Sequence, residues 1–472
     1  MKKILLSLAV IGGLASSTFA DDTSDLKTEI DALNKKITKL ENQQQQTGKS
    51  LAKVRAHDAF DNIKFDIDFR TAYDRISYEK DKKTYKNDAL LSNRLLLGMG
   101  YQPTEDMSFQ GQLAFNKAFG ADTNGRGRGY DSFDWIINEA LTDDTLRVRE
   151  AFWLWKSTIG GFKTMLSIGR RPATNGQLIN LRDDDKAKSP QGHVINMEFD
   201  GLSASIKLDK YISGSYLKFC YGRGLTNAKA KFDMYGLDYA KNTDPKTLDN
   251  MDVAGVIAQL YNDGQYNASA TYYRGFNVPG IDMATATAKT LPQLRTFGNM
   301  DGAALSAQIK GIGDMINDFL DETTLFASVA WSQTQPNAKQ AMLGSLNKES
   351  GYSYWVGAQV PNLTGGKLGL EYNHGSKYWR PFTYGEDTMI GSKMATRGNA
   401  YEAYWTQPII KKDGKSLFSM QIRYTYLDYD YTGSNGFFGD AGTPLTVAKA
   451  TQQNMDPVKS SQDLRVYFRY RY

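Results

Sequence analysis

The chain has 472 residues, a mean hydropathy of −0.50, a formal charge of +5, 28 Tyr and one cysteine, Cys220. No apolar run after the first twenty residues is long enough for a membrane-spanning helix, and a lone cysteine excludes a disulfide framework. With Lys2 and Lys3 set aside, the 57 Lys and Arg against 52 Asp and Glu leave a net +3, too even to point to nucleic acid.

Residues 1–20 read as a secretory signal peptide. Lys2 and Lys3 form the basic start, 4–14 the apolar stretch, and Thr18-Phe19-Ala20 the cleavage site before Asp21. The apolar stretch is too short to anchor the chain across a bilayer. No cysteine follows the site, so the signal is not that of a lipoprotein.

Residues 25–54 change character. Leu26, Ile30, Leu33, Ile37 and Leu40 are spaced 4, 3, 4, 3, with polar residues between. This is a heptad seam with Ile at a and Leu at d, a pairing that favours two strands. Gln44 and Thr47 occupy the next seam positions, Gly48 interrupts it, and Leu51 and Val54 resume it. A helix of this length is marginal alone in water, so these five residues are assigned to oligomerisation. The other reading is a lone amphipathic helix.

From residue 62 the period becomes two. Ile63, Phe65, Ile67, Phe69 and Tyr73 alternate with Lys64, Asp66, Asp68, Arg70 and Asp74. At the far end Leu464, Val466, Phe468, Tyr470 and Tyr472 alternate with Arg465, Tyr467, Arg469 and Arg471. One face of each strand is apolar and the other charged, and two such ends can pair to close a barrel. The predicted fold is therefore all-β. It is an outer-membrane antiparallel β-barrel over 62–472 with apolar side chains toward lipid and charged ones toward a wet lumen. A coiled-coil segment and linker precede it at 21–61.

Alternating runs bounded by turn residues fall at 63–79, 89–101, 107–119, 145–156, 163–171, 202–210, 215–222 and 251–261. They continue at 266–276, 301–311, 323–332, 351–360, 367–374, 398–408, 416–430 and 462–472, which makes sixteen. Short connections alternate with long ones, as short periplasmic turns alternate with external loops in such barrels. Residues 193–199 are left outside the wall. Helical spacing appears twice, at Phe133, Ile136, Ile137, Ala140 and Leu141, and at Ile312, Met315, Ile316, Phe319 and Leu320. Both read as short helices packed on the rim.

The stretches LRVREAFWLW, SIGRRPATNG and QGHVINMEFDGLSASIKL within 146–210 resemble a family of exported bacterial proteins of unknown function, described as outer-membrane and porin-like. EYNHGSKYW, ATRGNAYEAYWTQPI and YLDYDYTGSNG further on look like the same family. The resemblance implies a fold and a location and brings no catalytic residue. The general trimeric porins are a weaker analogy, from strand count and topology. That analogy implies a homotrimer, against the two-strand preference of the seam, and a loop after the fifth strand that narrows the lumen.

That loop, 172–201, carries Arg182, Asp183, Asp184 and Asp185 and leaves a strand ending in Arg170 and Arg171. The expected constriction sets the three aspartates against a basic patch of Arg147, Arg149, Arg170 and Arg171, creating a transverse field for polar solutes. The plainer reading is a solvated charge run. The end-strand charges can likewise be a structural ion-pair ladder. Enzyme chemistry has little support. His57, His193 and His374 stand far apart without metal-ligand or haem spacing, and the aspartate run lacks an EF-hand's alternating ligands. No metal, cofactor or catalytic residue is assigned.

The resulting expectation is a porin passing small hydrophilic solutes by diffusion, in contact with lipid and lipopolysaccharide. Tyr472 is the aromatic terminus read by the outer-membrane assembly machinery, and the coil can reach toward peptidoglycan. The alternatives are a plugged structural or adhesive barrel and an anion-selective channel.

Overall fold

The computed structural model describes residues 63–119, 146–228, 239–240, 248–286, 292–313, 316–383, 388–412, 414–434, 436, 438–439 and 442–472. The chain divides into Met1–Asn62 and Ile63–Tyr472. The signal peptide, the seam of Leu26, Ile30, Leu33, Ile37 and Leu40, and the helical spacing at 133–141 lie outside the described residues.

Sixteen strands build the wall. They are β1 (Lys64–Lys80), β2 (Thr84–Tyr101), β3 (Met107–Ala118), β4 (Arg147–Ile159), β5 (Phe162–Ala173), β6 (Ile195–Lys207), β7 (Tyr216–Leu225) and β8 (Met251–Asn262). They continue with β9 (Tyr266–Asp282), β10 (Gln293–Lys310), β11 (Thr324–Pro336), β12 (Ser350–Pro361), β13 (Lys367–Gly375), β14 (Gly398–Lys412), β15 (Lys415–Tyr429) and β16 (Val458–Arg471). Each pairs antiparallel with the next, and β16 returns to pair with β1, Arg70 opposite Arg469 and Asp74 opposite Arg465. The full sheet counts 18 strands; the other two, Phe382–Thr383 and Phe438–Gly439, are parallel additions made by loops. Closure leaves the wall without an edge.

All sixteen predicted runs fall on these strands, several of which are longer than predicted: β9 runs on to Asp282, β10 starts at Gln293 and β16 at Val458. Residues 195–199 belong to the wall: Met197 and Glu198 already pair with Ala173 and Pro172 of β5. Their alternation is hidden because Met197 and Phe199 pack into an apolar cluster inside the barrel rather than facing lumen water. And β1 and β2 run on to a turn of only three residues, 81–83, so the first connection at the long-loop end is tight.

The period-two pattern does what amphipathicity requires, but inside out. Phe65 is 58% exposed and Phe468 45%, whereas Arg70, Asp74, Arg465 and Arg469 are buried. The predicted rim helix at 312–320 shrinks to a one-turn α-helix at Asp318–Asp321, capped by Asn317, with Ile316 and Phe319 exposed. Asn317 lies within the repeat in extended conformation, φ −165° and ψ 158°, and a helix cannot run through it.

Three apolar clusters lie within the barrel, one of which sets Ile390 against Ile76, Ala400, Leu427 and Tyr429. Another joins Val194, Met197 and Phe199 to Tyr273, Phe297, Trp379 and Phe382. The third joins Leu178 and Ile179 to Phe326, Trp355 and Met394. These last two are made by long connections folded inward: 174–194, between β5 and β6, and 376–397, between β13 and β14. Phe382 donates its N–H to the carbonyl of Val194 at 2.9 Å, so the two connections are tied to each other. Gly351 of β12 lets the second one lie directly on the wall, since a Cβ there would overlap the backbone of Tyr378 and Trp379.

Candidate functional site

Connection 174–194 crosses the lumen. It leaves β5 with Thr174 buried, and Gln177 reaches Asn267 and Ser269 of β9. Leu178 sits at φ 78°, a value that side chains rarely tolerate, and its buried side chain holds it there among Phe326, Trp355 and Met394. A single turn of helix, α1 (Ile179–Arg182), then delivers Arg182 to the far wall.

Arg182 meets a dry charge cluster. Its Nη1 lies 3.3 Å from both carboxylate oxygens of Glu402 on β14. Lys393 of connection 376–397 bridges Glu402 and Glu371 of β13, with its Nζ 2.6 Å from Glu371. Thr425 donates to Glu402 at 2.8 Å and Trp355 donates to Glu371 at 3.1 Å. Arg423 stands 4.0 Å from Glu402. Every side chain of this group is buried. Glu402 thus anchors both in-folded connections to the wall.

The acidic run comes next, at the seam where β1 meets β16. Asp185 accepts from Arg469 at 3.0 Å and from Arg471 at 3.0 Å, and the carbonyls of Asp183 and Asp184 accept from the same two arginines at 2.7 and 2.9 Å. Arg469 also grips Asp68 at 2.6 Å, and Arg94 reaches the same carboxylate at 3.3 Å. Asp184 takes Lys367 at 3.1 Å. The return leg crosses back: Lys188 bonds Glu150 of β4 at 2.7 Å, Ser189 accepts from Lys218 of β7 at 2.9 Å, and Gln191 donates to Ser269 and Ser306. His193 closes the span. Its two ring nitrogens lie 2.8 and 2.9 Å from the hydroxyls of Ser328 on β11 and Ser353 on β12, and its ring is flanked by Trp355 and Trp379. Burial without a charged partner pushes His193 down to about 3, so it is neutral at physiological pH.

This corrects the expected pairing across a constriction. Asp183, Asp184 and Asp185 do not face the arginines of β4 and β5; they face Arg469 and Arg471. Arg149 and Arg170 pair instead with Glu198 of β6, at 3.2 and 2.8 Å, and Arg170 adds Asp200 at 3.3 Å. Arg147 lies close enough to feel Glu198 as well. The physical reason is local supply: Glu198 is brought opposite β5 by sheet register, and it neutralises these arginines before any loop residue arrives. Of the eight predicted constriction residues, Arg171 lines the cavity beside the in-folded connection. Its guanidinium lies over the Phe152 ring at 4.2 Å and donates to Ser167 at 2.7 Å.

That cavity, of about 520 Å³, lies under the return leg, against β3 to β9 toward the short-turn end. A smaller apolar one of about 80 Å³ adjoins it, and Arg171, Ser189, Pro190, Lys218 and Ile257 line both. Lys218, His193, Glu371, Lys393 and Glu402 were missed as site residues by sequence reasoning, whereas Lys188 was read only as one of the loop's charges. The one available signal was inward parity within a strand, which marks Lys218, Glu371 and Glu402 as lumen-facing without saying whether that lumen is wet. Among the described residues no group of three or more His, Cys, Asp or Glu is placed to hold a metal ion.

No curated protein matches the chain. Among solved structures it is similar to a loop-deleted OmpT, an outer membrane protein of Vibrio cholerae, at 12% identity over 87% of this chain and 99% of that one, with a TM-score of 0.46. It is also similar to Salmonella typhi OmpF in complex with daunomycin (10%, 86% and 97%, 0.46) and to Pseudomonas putida OprB (9%, 87% and 94%, 0.45). By sequence, residues 84–472 match the model of DUF3373, described as a protein of unknown function, and the chain belongs to that family.

Proposed function

We propose that the chain is an outer-membrane diffusion channel that passes small hydrophilic solutes and ions without energy input or cofactor. The observation that carries this reading is the polar cavity of about 520 Å³ that the in-folded connections leave beside β3 to β9. An apolar outer face, a charged inner face and a closed sheet suit lipid outside and water within. On this reading the short turns face the periplasm, 1–20 directs export, and 21–61 lies in the periplasm with its seam joining three chains. Tyr472 then serves assembly of the barrel, and the coil can reach peptidoglycan.

One observation favours a second reading, the plugged structural or adhesive barrel: the in-folded connections pack a buried charge cluster and three apolar clusters inside the wall. Single-channel recording in a planar bilayer under a salt gradient decides between them. Uniform steps, grouped in threes for a trimer, are expected. A folded, heat-modifiable barrel that never conducts would put the plugged barrel first.

The lipid-facing wall has its own test. Val329, in the middle of β11, points outward and is 56% exposed. Val329→Arg should cost about 2–4 kcal/mol when the barrel is unfolded from bilayer vesicles, because a cation at mid-depth loses its hydration. Unchanged stability would mean that this face meets water.

A further inference from the structure

We infer that the cavity beside β3 to β9 is a binding vestibule for small organic anions carrying carboxylate or phosphate groups. This deepens the diffusion-channel reading and rests on it for access from solution.

The charge lining the cavity is lopsided. Four cations, Arg171, Lys188, Lys207 and Lys218, face one carboxylate, Glu150. Lys188 pairs with Glu150 at 2.7 Å, and Arg171 is close enough to feel the same carboxylate. Asp66 on β1 lies outside the lining but close enough to feel Glu150 and Lys188, so two acids stand near four cations. The contacts of the other cations are with neutral groups: Lys218 donates to the Ser189 hydroxyl, and Arg171 donates to the Ser167 hydroxyl and stacks on Phe152. A hydroxyl orients a cation without neutralising it, and an aromatic face offers only a quadrupole. The rest of the lumen behaves differently, because Arg149, Arg170, Arg182, Arg465 and Arg469 each hold a carboxylate. In the cavity lining, by contrast, cations outnumber carboxylates four to one.

Position makes that surplus effective. Arg171 and Lys218 line both the larger cavity and the smaller one beyond it, so a solute moving between the two passes these side chains. Walls of low dielectric focus the field of each charge into the opening and raise the local concentration of anions. Around the cations stand side-chain amides, Gln110, Gln177, Gln259 and Asn267, suited to hydroxyl or carbonyl groups of the same solute. One wall is apolar, with Phe152, Leu154 and Met165. Oxyanion, polar substituents and a short carbon skeleton describe a hydrophilic organic acid or a phosphorylated small molecule.

The test uses the full-length protein in mild detergent, with citrate, glucose 6-phosphate and glucose as probes in titration calorimetry. Citrate and the sugar phosphate are expected to bind, glucose is not, and 1 M KCl should weaken binding by screening. Lys207→Gln with Lys218→Gln should weaken it by about tenfold or more, the value of one or two charge-assisted hydrogen bonds. Lys207→Gln alone changes an exposed side chain, so a partial loss there guards against misfolding of the double variant. Glucose binding as well as citrate, no binding of either anion, or anion binding unchanged in the double variant would each overturn the inference. Anion binding by a barrel that never conducts would overturn the channel reading and leave the vestibule standing.

Discussion

Glu402→Gln is expected to release both in-folded connections and open the lumen. Glu402 pairs with both Arg182 of 174–194 and Lys393 of 376–397, and it also accepts from Thr425. The substitution keeps the volume and removes the charge. Arg182, Lys393 and Arg423 would then share Glu371 and Asp183 in a space closed to water. Removing one member of a buried ion network in this way costs about 3–5 kcal/mol, because the remaining charges keep their desolvation penalty without their partner. The wall has its own continuous ladder of backbone hydrogen bonds, so the loss should appear first in the plug. Proteolysis within 174–194 should become fast, the gel-shift temperature should fall, and single-channel conductance should rise. Adding Arg182→Met removes one stranded cation and should recover part of the stability, a coupling that a double-mutant cycle measures. A Glu402→Gln protein with native proteolytic resistance and native conductance would mean that the cluster does not hold the plug.

How this cluster escaped the sequence is instructive. Glu402 sits in AYEAYW, with Tyr401 outward and Glu402 inward, which places it correctly on the lumen side. Period two says which face a residue takes; it says nothing about what a loop 220 residues away lays over that face. An inward glutamate reads the same whether it meets water or arginine. The acidic run at Asp183 to Asp185 shows the opposite case. It stood out as a charge run, and so did Arg469 and Arg471, yet the two were assigned to separate roles. They lie 286 residues apart in sequence at Asp185 and Arg471, and only closure of β16 onto β1 makes them neighbours. Arg170 and Arg171 looked like the natural partners because they were near in sequence. Sheet register had already supplied Arg170 with Glu198. The wall was legible because each strand carries its own local pattern; the plug was not, because its contacts run between connections and strands with no shared period.

Acidification should loosen the same plug from its other end. His193 belongs to the in-folded connection, and its ring bonds to Ser328 and Ser353 clamp that connection to β11 and β12. Burial holds its folded value at about 3, against 6.5 when the connection is detached and solvated. Above pH 6.5 the ring is neutral in both states and titration contributes nothing. Between 6.5 and 3 the detached state binds a proton that the docked state refuses, so docking weakens as pH falls, by about 1.4 kcal/mol per pH unit. By pH 3.5 the accumulated loss is on the order of 4 kcal/mol, comparable with removal of Glu402. Among the described residues no carboxylate pairs with the ring to offset this; its neighbours are two serines, Asn373 and two tryptophans. Conductance and proteolysis of 174–194 should therefore rise between pH 6 and pH 4. His193→Gln keeps an acceptor and a donor for the two hydroxyls and cannot titrate, so it should flatten the acid response while leaving the neutral-pH protein docked. Acid loosening that persists unchanged in His193→Gln would mean that His193 is not the group that responds.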